Sequence, residues 1–173
     1  MVRRLCWIGL LAGALLGSPA KAGEPDLLVL GVGGTDIIRT YKTAPEVRLE
    51  YRPAWSLIPM VEPLFQVRPW AGLEISTRGT VWGGGGVLID VPVGDFVLTP
   101  SVGVGGYEQG SGRALGSAIE FRSQFEAGYV FADRSRVSVA ISHLSNGGFN
   151  KHNPGTDALV LQYALPIGRL FGY

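Results

Sequence analysis

Residues 119–131 read IEFRSQFEAGYVF and alternate between apolar and polar side chains. One face carries Ile119, Phe121, Phe125, Ala127, Tyr129 and Phe131, and the opposite face carries Glu120, Arg122, Gln124 and Glu126. A period of two residues is typical of a β-strand, because successive side chains point to opposite sides of the sheet. The stretch therefore predicts a long strand with one apolar face and one charged face.

The same alternation runs through most of the chain, for example in 46–52 and in 65–76. Such runs and the turn residues between them predict eight strands, near 26–34, 45–53, 64–77, 79–91, 95–107, 114–131, 134–146 and 157–171. Several are longer than a typical strand of a soluble protein. They reach the roughly 9 to 11 residues that a tilted strand needs to cross a bilayer.

The first 22 residues have the composition of a secretory signal peptide. Two arginines precede an apolar run from Leu5 to Leu16, and Ala20-Lys21-Ala22 fits the small-x-small cleavage pattern. We therefore expect one domain over residues 23–173, without the single cysteine, Cys6. Without the three basic residues of the leader, 12 Lys and Arg stand against 14 Asp and Glu, a balance that gives no support to nucleic-acid binding.

The charged face of the strands decides between two architectures. In a soluble sandwich it would point to water, whereas in a small outer-membrane barrel it fills the lumen and the apolar face meets lipid. The signal peptide and a last strand with Leu165, Ile167, Phe171 and Tyr173 on one side favour the barrel. We expect an all-β, eight-stranded, antiparallel, up-and-down transmembrane β-barrel of the outer membrane. Eight strands leave room for side chains and no channel, so solute transport is not expected.

Three polar residues fall on the apolar face where the seventh strand ends and the eighth begins. His143 and Ser145 continue the apolar series 137–141, and Asp157 belongs to the series 159–165. Polar side chains that face lipid are costly unless they have partners or a purpose. Same-face neighbours on adjacent strands have Cβ atoms roughly 5 Å apart, so we expect Asp157 within reach of His143.

These residues supply the parts of a nucleophilic site. A serine hydroxyl is a weak nucleophile until a base takes its proton, and an imidazole does this when a carboxylate fixes its tautomer. Ser145 is the candidate nucleophile, His143 the base and Asp157 the acid. Asn146 and the backbone N–H groups of the turn at Gly147 are candidates to stabilise the oxyanion. The alternative is an interfacial histidine beside an unremarkable serine. We expect neither a metal nor a cofactor, since no ligand cluster stands out.

The C-terminal part of the chain resembles a known family. The motifs are HLSN at 143–146, NPGTD at 153–157 and LQYALP at 161–166. They are similar to those of the lipid A 3-O-deacylase family, known as PagL. The resemblance implies an eight-stranded outer-membrane barrel with a Ser/His/Glu triad on its outer surface, and its nucleophile, base and acid fall on Ser145, His143 and Asp157. The aspartate is a departure, because the family's glutamate is one methylene longer.

The resemblance also implies an activity and a location. The chain would be an esterase that removes the 3-position acyl chain of lipid A in lipopolysaccharide and releases a 3-hydroxy fatty acid. Its site would face the outer leaflet if the termini are periplasmic. Its partners would be outer-membrane lipids, and we expect no nucleic-acid partner. A homodimer is left open. Two other functions stay open: a noncatalytic structural or adhesion barrel, and a phospholipase or acyltransferase that uses the same serine.

Overall fold

The protein is a closed barrel of eight antiparallel strands, seen in a computed structural model that describes residues 25–38, 40–61 and 64–170. The strands are β1 Leu27–Thr35, β2 Ala44–Arg52, β3 Gln66–Ser76, β4 Val81–Val93, β5 Phe96–Glu108, β6 Ile119–Val130, β7 Arg136–Ser145 and β8 Thr156–Pro166. A 3-10 turn covers Pro59–Val61, and a short helix, α1, covers Ile167–Leu170. None of the described helices is long and apolar enough to span a membrane.

Each strand pairs with its neighbour in sequence, and β1 pairs with β8 to close the sheet. The closing register runs from Leu27 opposite Pro166 to Thr35 opposite Ala158. Because the wall is closed, it leaves no unpaired strand edge. The predicted eight-stranded up-and-down barrel is confirmed. We call the end that carries the β7–β8 loop the site end, and the end with residues 25–26 and α1 the terminal end.

One strand begins later than the alternation predicts. β6 starts at Ile119 rather than at 114. The chain cannot stay extended before that point because Gly116 adopts a left-handed backbone with a φ of 92°. Leu115 is almost fully buried and packs with Trp70 and Trp82 at the site end of the lumen. Residues 114–118 are therefore part of the β5–β6 loop.

The last strand ends earlier than predicted. β8 stops at Pro166 rather than at 171, because β1 begins at Leu27 and offers no further partner. The Ile167 N–H donates to the carbonyl of Asp26 at 2.9 Å, and the chain turns into α1. Ile167 thus does not extend the face of Leu165 as expected. Phe171 and Tyr173, and the predicted signal peptide 1–22, lie outside the described residues.

The outer wall of the barrel is apolar. Large side chains such as Val32, Phe125 and Leu161 are about half exposed, at 59%, 50% and 55%. Near the terminal end Tyr129 packs edge-on against Phe96 and Phe131, with ring centroids 5.4 and 5.2 Å apart. An apolar band bordered by aromatic residues is the outer surface of a membrane barrel, so this wall faces lipid.

The lumen holds the charged face of the strands. Arg122 bridges Glu50 at 2.6 Å and Glu74, and Arg52 bridges Glu50 at 2.8 Å and Glu126 at 2.7 Å. These side chains are almost entirely buried. Glu120 and Glu126 point inward, as their parity predicts. Ion pairs of Arg52 and Arg122 therefore fill much of the interior, and the exposed polar trio of His143, Ser145 and Asp157 lies outside it.

Two tryptophans pack together inside the lumen, in the buried cluster that also contains Leu115. The ring centroids of Trp70 and Trp82 lie 5.9 Å apart, and Cζ of the Arg122 guanidinium lies over the Trp70 ring, 3.9 Å from its centroid. Glycines of β4 and β5 leave room for the two rings: a Cβ on Gly84 would lie 2.8 Å from the Trp82 ring, and one on Gly103 would lie 2.5 Å from the Trp70 ring. The run GGGG at 83–86 is thus part of strand β4, where the absence of side chains permits close packing.

Candidate active site on the lipid-facing wall

The predicted histidine and carboxylate meet on the outer wall. His143 on β7 and Asp157 on β8 are direct cross-strand partners. Their side chains share the outward face of Ile141 and Leu159, which is the lipid-facing side. His143 Nδ1 and Asp157 Oδ1 are 2.7 Å apart, and the two side chains are 44% and 18% exposed. Antiparallel register alone brings the two groups together, although they are 14 residues apart in sequence.

The imidazole has a defined orientation. With Nδ1 donating to the carboxylate, the neutral ring leaves Nε2 as a hydrogen-bond acceptor. Gly155 borders the ring: a Cβ at this position would lie 2.6 Å from His143 Cε1 and 2.9 Å from Nε2. Gly155 also has a φ of 63°, a conformation that suits glycine. The ring therefore occupies space that only a glycine leaves free.

Ser145 is the last residue of β7 and lies two positions beyond His143 on the same face. It pairs across the sheet with Phe121 and is partly buried. Within the described residues, the hydrogen bond of the imidazole is to Asp157 and not to Ser145 Oγ. Bonds between a nucleophile and its base are often long before substrate binds and tighten in the complex. The structure thus places Ser145 on the same outward face as His143, the candidate base.

Asn146 has a different place from the one expected. Its side chain is buried and points away from Ser145, since neighbouring residues of a strand face opposite sides. Its Nδ2 donates to the carbonyls of Leu115 at 3.0 Å and His152 at 2.9 Å, and its Oδ1 accepts from the Gly148 N–H at 3.0 Å. Both amide hydrogens are therefore engaged in holding the β5–β6 and β7–β8 loops together. Asn146 braces the loops that flank the site.

Gly147 follows in a left-handed conformation, with a φ of 65°. This turn reverses the chain directly after the nucleophile candidate and is exposed. The Asn146 amide is engaged by loop carbonyls and faces away from Ser145. The backbone N–H of Gly147, two residues after Ser145, therefore remains as the candidate oxyanion donor of the predicted pair. His152 is exposed in the same loop, as a solvated loop residue would be.

A groove of about 460 Å³ runs along the wall beside the histidine. It is lined on the outward face by Pro100, Val102, Ser123, Phe125, Ile141, His143 and Asp157. Ser123 opens the groove on the side of β6, because it is the small residue between Phe121 and Phe125 on the outward face of that strand. The apolar alternation identified this face, but Ser123 itself was not singled out. The break in the series at 123 is the signal that could have found it.

No group of three or more His, Cys, Asp or Glu side chains is positioned to hold a metal ion in the part of the chain that the structure describes. The reactive groups that the site does bring to one face are the Ser145 hydroxyl, the His143 imidazole and the Asp157 carboxylate. Together they can activate a hydroxyl and stabilise the cationic ring that results.

Known proteins that resemble the chain point to one family. The family model described as "Lipid A 3-O-deacylase (PagL)" matches residues 69–166. The Lipid A deacylase PagL of Bordetella bronchiseptica is 33% identical over 51 residues, which cover 30% of this chain and 29% of that protein. The aligned part thus spans less than a third of this curated relative.

Two solved structures share the fold. The crystal structure of the outer membrane enzyme PagL superimposes with a TM-score of 0.62 and 20% identity, covering 81% of this chain and 99% of that chain. A de novo designed transmembrane β-barrel gives a TM-score of 0.55 at 11% identity, covering 85% of this chain and 100% of that chain. The family match spans more than half of the sequence and includes the whole exposed site. The chain therefore belongs to the lipid A 3-O-deacylase (PagL) family of outer-membrane β-barrels.

Proposed function

We propose that this protein hydrolyses the ester that links the acyl chain at the 3 position of lipid A, with Ser145 as nucleophile, His143 as base and Asp157 as acid. The observation that carries the proposal is the 2.7 Å contact between His143 and Asp157 on the lipid-facing wall, next to Ser145. Polar and ionisable side chains that face lipid are costly and are retained where they have a function.

The reaction follows from the two ring nitrogens. Nε2 takes the proton of the Ser145 hydroxyl as its oxygen attacks the ester carbonyl carbon, and the Asp157 carboxylate stabilises the resulting imidazolium. The carbonyl oxygen becomes an oxyanion, for which the backbone N–H of Gly147 is the proposed donor. Collapse breaks the bond to the sugar oxygen, which takes the proton from Nε2. Water then attacks the acyl-serine with His143 as base and releases a 3-hydroxy fatty acid.

The location of the site suits a substrate that is itself a membrane lipid. The proposal puts the termini in the periplasm and the site end at the outer leaflet, which is built of lipopolysaccharide. The scissile acyl chain would lie along the groove beside Ser123, with the sugar above Ser145. A substrate can then reach the site by diffusing laterally against the wall. The apolar lining of Val102, Phe125 and Ile141 supports an acyl chain as the occupant.

The decisive experiment compares lipid A before and after incubation with the folded protein. Purified protein in detergent is mixed with lipopolysaccharide, and lipid A is weighed by mass spectrometry. We expect the loss of one 3-hydroxyacyl group with the native protein and none with Ser145→Ala. An unchanged lipid A mass with folded native protein would refute the proposal. A parallel incubation with phospholipid vesicles separates it from a phospholipase or acyltransferase, which would remove a chain from the phospholipid.

A further inference from the structure

Arg113 links three loops at the site end. It lies in the β5–β6 loop, and its side chain is 13% exposed. Its Nη1 donates to the carbonyl of Gly155 at 3.1 Å and lies 3.3 Å from Oδ1 of Asp36, in the β1–β2 loop. The guanidinium thus joins the segment that precedes β8 to the loops on either side of it.

The segment that Arg113 holds is the one that carries the acid. Gly155 precedes the first residue of β8, and Asp157 follows two positions later. On its other side, the carbonyl of Asp157 accepts a hydrogen bond from the Ile37 N–H at 3.2 Å. Ile37 is adjacent to Asp36. The ion pair between Arg113 and Asp36 therefore also helps to fix the backbone that donates to Asp157.

Asp36 is itself firmly anchored. Its side chain is buried and accepts a hydrogen bond from the Lys42 backbone N–H, and its carbonyl accepts one from Thr43 Oγ1 at 2.9 Å. Tyr41 adds a cation–π contact, with its ring centroid 5.8 Å from the Arg113 guanidinium. The β1–β2 loop therefore gives Arg113 a fixed base from which to hold Gly155.

We propose that Arg113 is a positioning residue that keeps Gly155 and Asp157 in register with the imidazole, an inference that rests on the proposed function. Asp157 is short and cannot compensate for a displaced backbone by changing rotamer. Gly155 borders the ring, since a Cβ added there would lie within 3 Å of it, so displacement of Gly155 also changes the space available to His143. A misplacement of about 1 Å in a catalytic group can cost about 100-fold in rate.

Arg113→Ala is the first test, with deacylation of lipopolysaccharide as the assay. We expect kcat to fall about 10- to 100-fold while KM changes little, because the groove for the acyl chain is untouched. Arg78→Ala is the matched control: this exposed arginine also donates to a loop carbonyl, that of Thr43 at 3.4 Å, and its side-chain hydrogen bond in the described part of the chain is to that loop rather than to residues 155–157. It should retain native activity. Equal kcat values for the native protein and Arg113→Ala would overturn the inference.

A longer acid provides the rescue. Asp157→Glu extends the carboxylate by one methylene and can bridge a displaced segment, so Arg113→Ala should cost much less in this background than in the native one. Equal losses in the two backgrounds would mean that Arg113 acts elsewhere. If Arg113→Ala does not fold, Arg113→Lys takes its place: it keeps the charge opposite Asp36, but its shorter reach cannot also serve Gly155. We expect an intermediate loss of kcat, and full activity would contradict the proposal.

A spectroscopic readout keeps this inference separate from the proposed function. The chain has two histidines, so His152→Gln leaves His143 as the sole imidazole signal. The Nδ1 proton shared with Asp157 should give a downfield resonance that Arg113→Ala weakens or shifts. If native protein leaves lipid A intact but this resonance depends on Arg113, the positioning role stands and the proposed activity fails. If native protein is active and both resonance and kcat survive in Arg113→Ala, the positioning role fails.

Discussion

Ser123 and His143 are direct cross-strand partners on the lipid-facing wall, Ser123 on β6 and His143 on β7. The histidine therefore has the carboxylate of Asp157 on one side and a small side chain on the other. This asymmetry leaves the groove open on the side of β6. Under the proposed function, the acyl chain of the substrate would approach His143 from this side, where no large outward side chain stands in the way.

Ser123→Leu should block that approach. A leucine would fill the gap between Phe121 and Phe125, and because it is apolar it would suit the lipid-facing wall, so the barrel should fold normally. We expect kcat/KM for lipopolysaccharide to fall at least 10-fold. Ala127→Leu, further along the same face of β6, is the control and should leave the activity unchanged. Native activity in Ser123→Leu would show that the acyl chain does not lie in this groove.

Gly155→Ala should displace the imidazole. The new Cβ would lie within 3 Å of two ring atoms, at 2.6 and 2.9 Å, and the left-handed backbone adds strain of about 1 to 2 kcal/mol. We expect a large loss of deacylation in a barrel that still folds. Gly148→Ala controls for the strain, since Gly148 has a φ of 83° but nothing lies within 4 Å of its Cβ position. If both variants lose the same activity, contact with the ring is not the cause.

Asp157→Asn should test the charge of the acid at nearly constant shape. The amide can keep a contact with Nδ1, but it does not stabilise the imidazolium and permits the wrong tautomer. In a serine protease the equivalent change costs about 10⁴-fold, and we expect a loss of roughly 10³ to 10⁴ in kcat here. Asp157→Glu restores the charge and should retain most of the activity. The readout is the initial rate of fatty-acid release, and an active Asp157→Asn protein would remove Asp157 from the mechanism.

Arg122→Gln should weaken the barrel without touching the outer wall. It removes the partner that neutralises Glu50 and Glu74 inside the lumen, and breaking a buried ion pair costs about 3 to 5 kcal/mol. The free energy of unfolding, measured by urea titration in detergent, should fall by about this amount. The exposed Arg78→Gln is the control and should have little effect. Equal stability of the native and Arg122→Gln proteins would show that Arg122 does not stabilise the lumen.

The strands could be predicted because period-two alternation is local and repeats in every one of them. The same parity put His143, Ser145 and Asp157 on one face. The bounds that differ depend on partners elsewhere in the chain: β8 ends where β1 begins, and the start of β6 depends on the backbone of Gly116. Such limits are set by tertiary pairing and leave no periodic signal in the sequence.

The contribution of the loops could not be predicted, because loop residues have no fixed parity. Asn146 was expected to serve the oxyanion, yet it follows Ser145 by one position and therefore faces the opposite side, where carbonyls of two loops engage its amide. Arg113 gave no signal at all, since its partners are 42 and 77 positions away in sequence. These contacts follow from the closure of the barrel.

Alternation along β7 also restricts how this family can change its length. Ser142 faces inward, where its hydroxyl accepts a hydrogen bond from Arg48 at 2.8 Å, while the next residue, His143, faces lipid. Inserting or deleting one residue within β7 would exchange these environments and take the imidazole into the ionic interior. An insertion within this strand must therefore come in pairs to keep the imidazole on the lipid-facing wall.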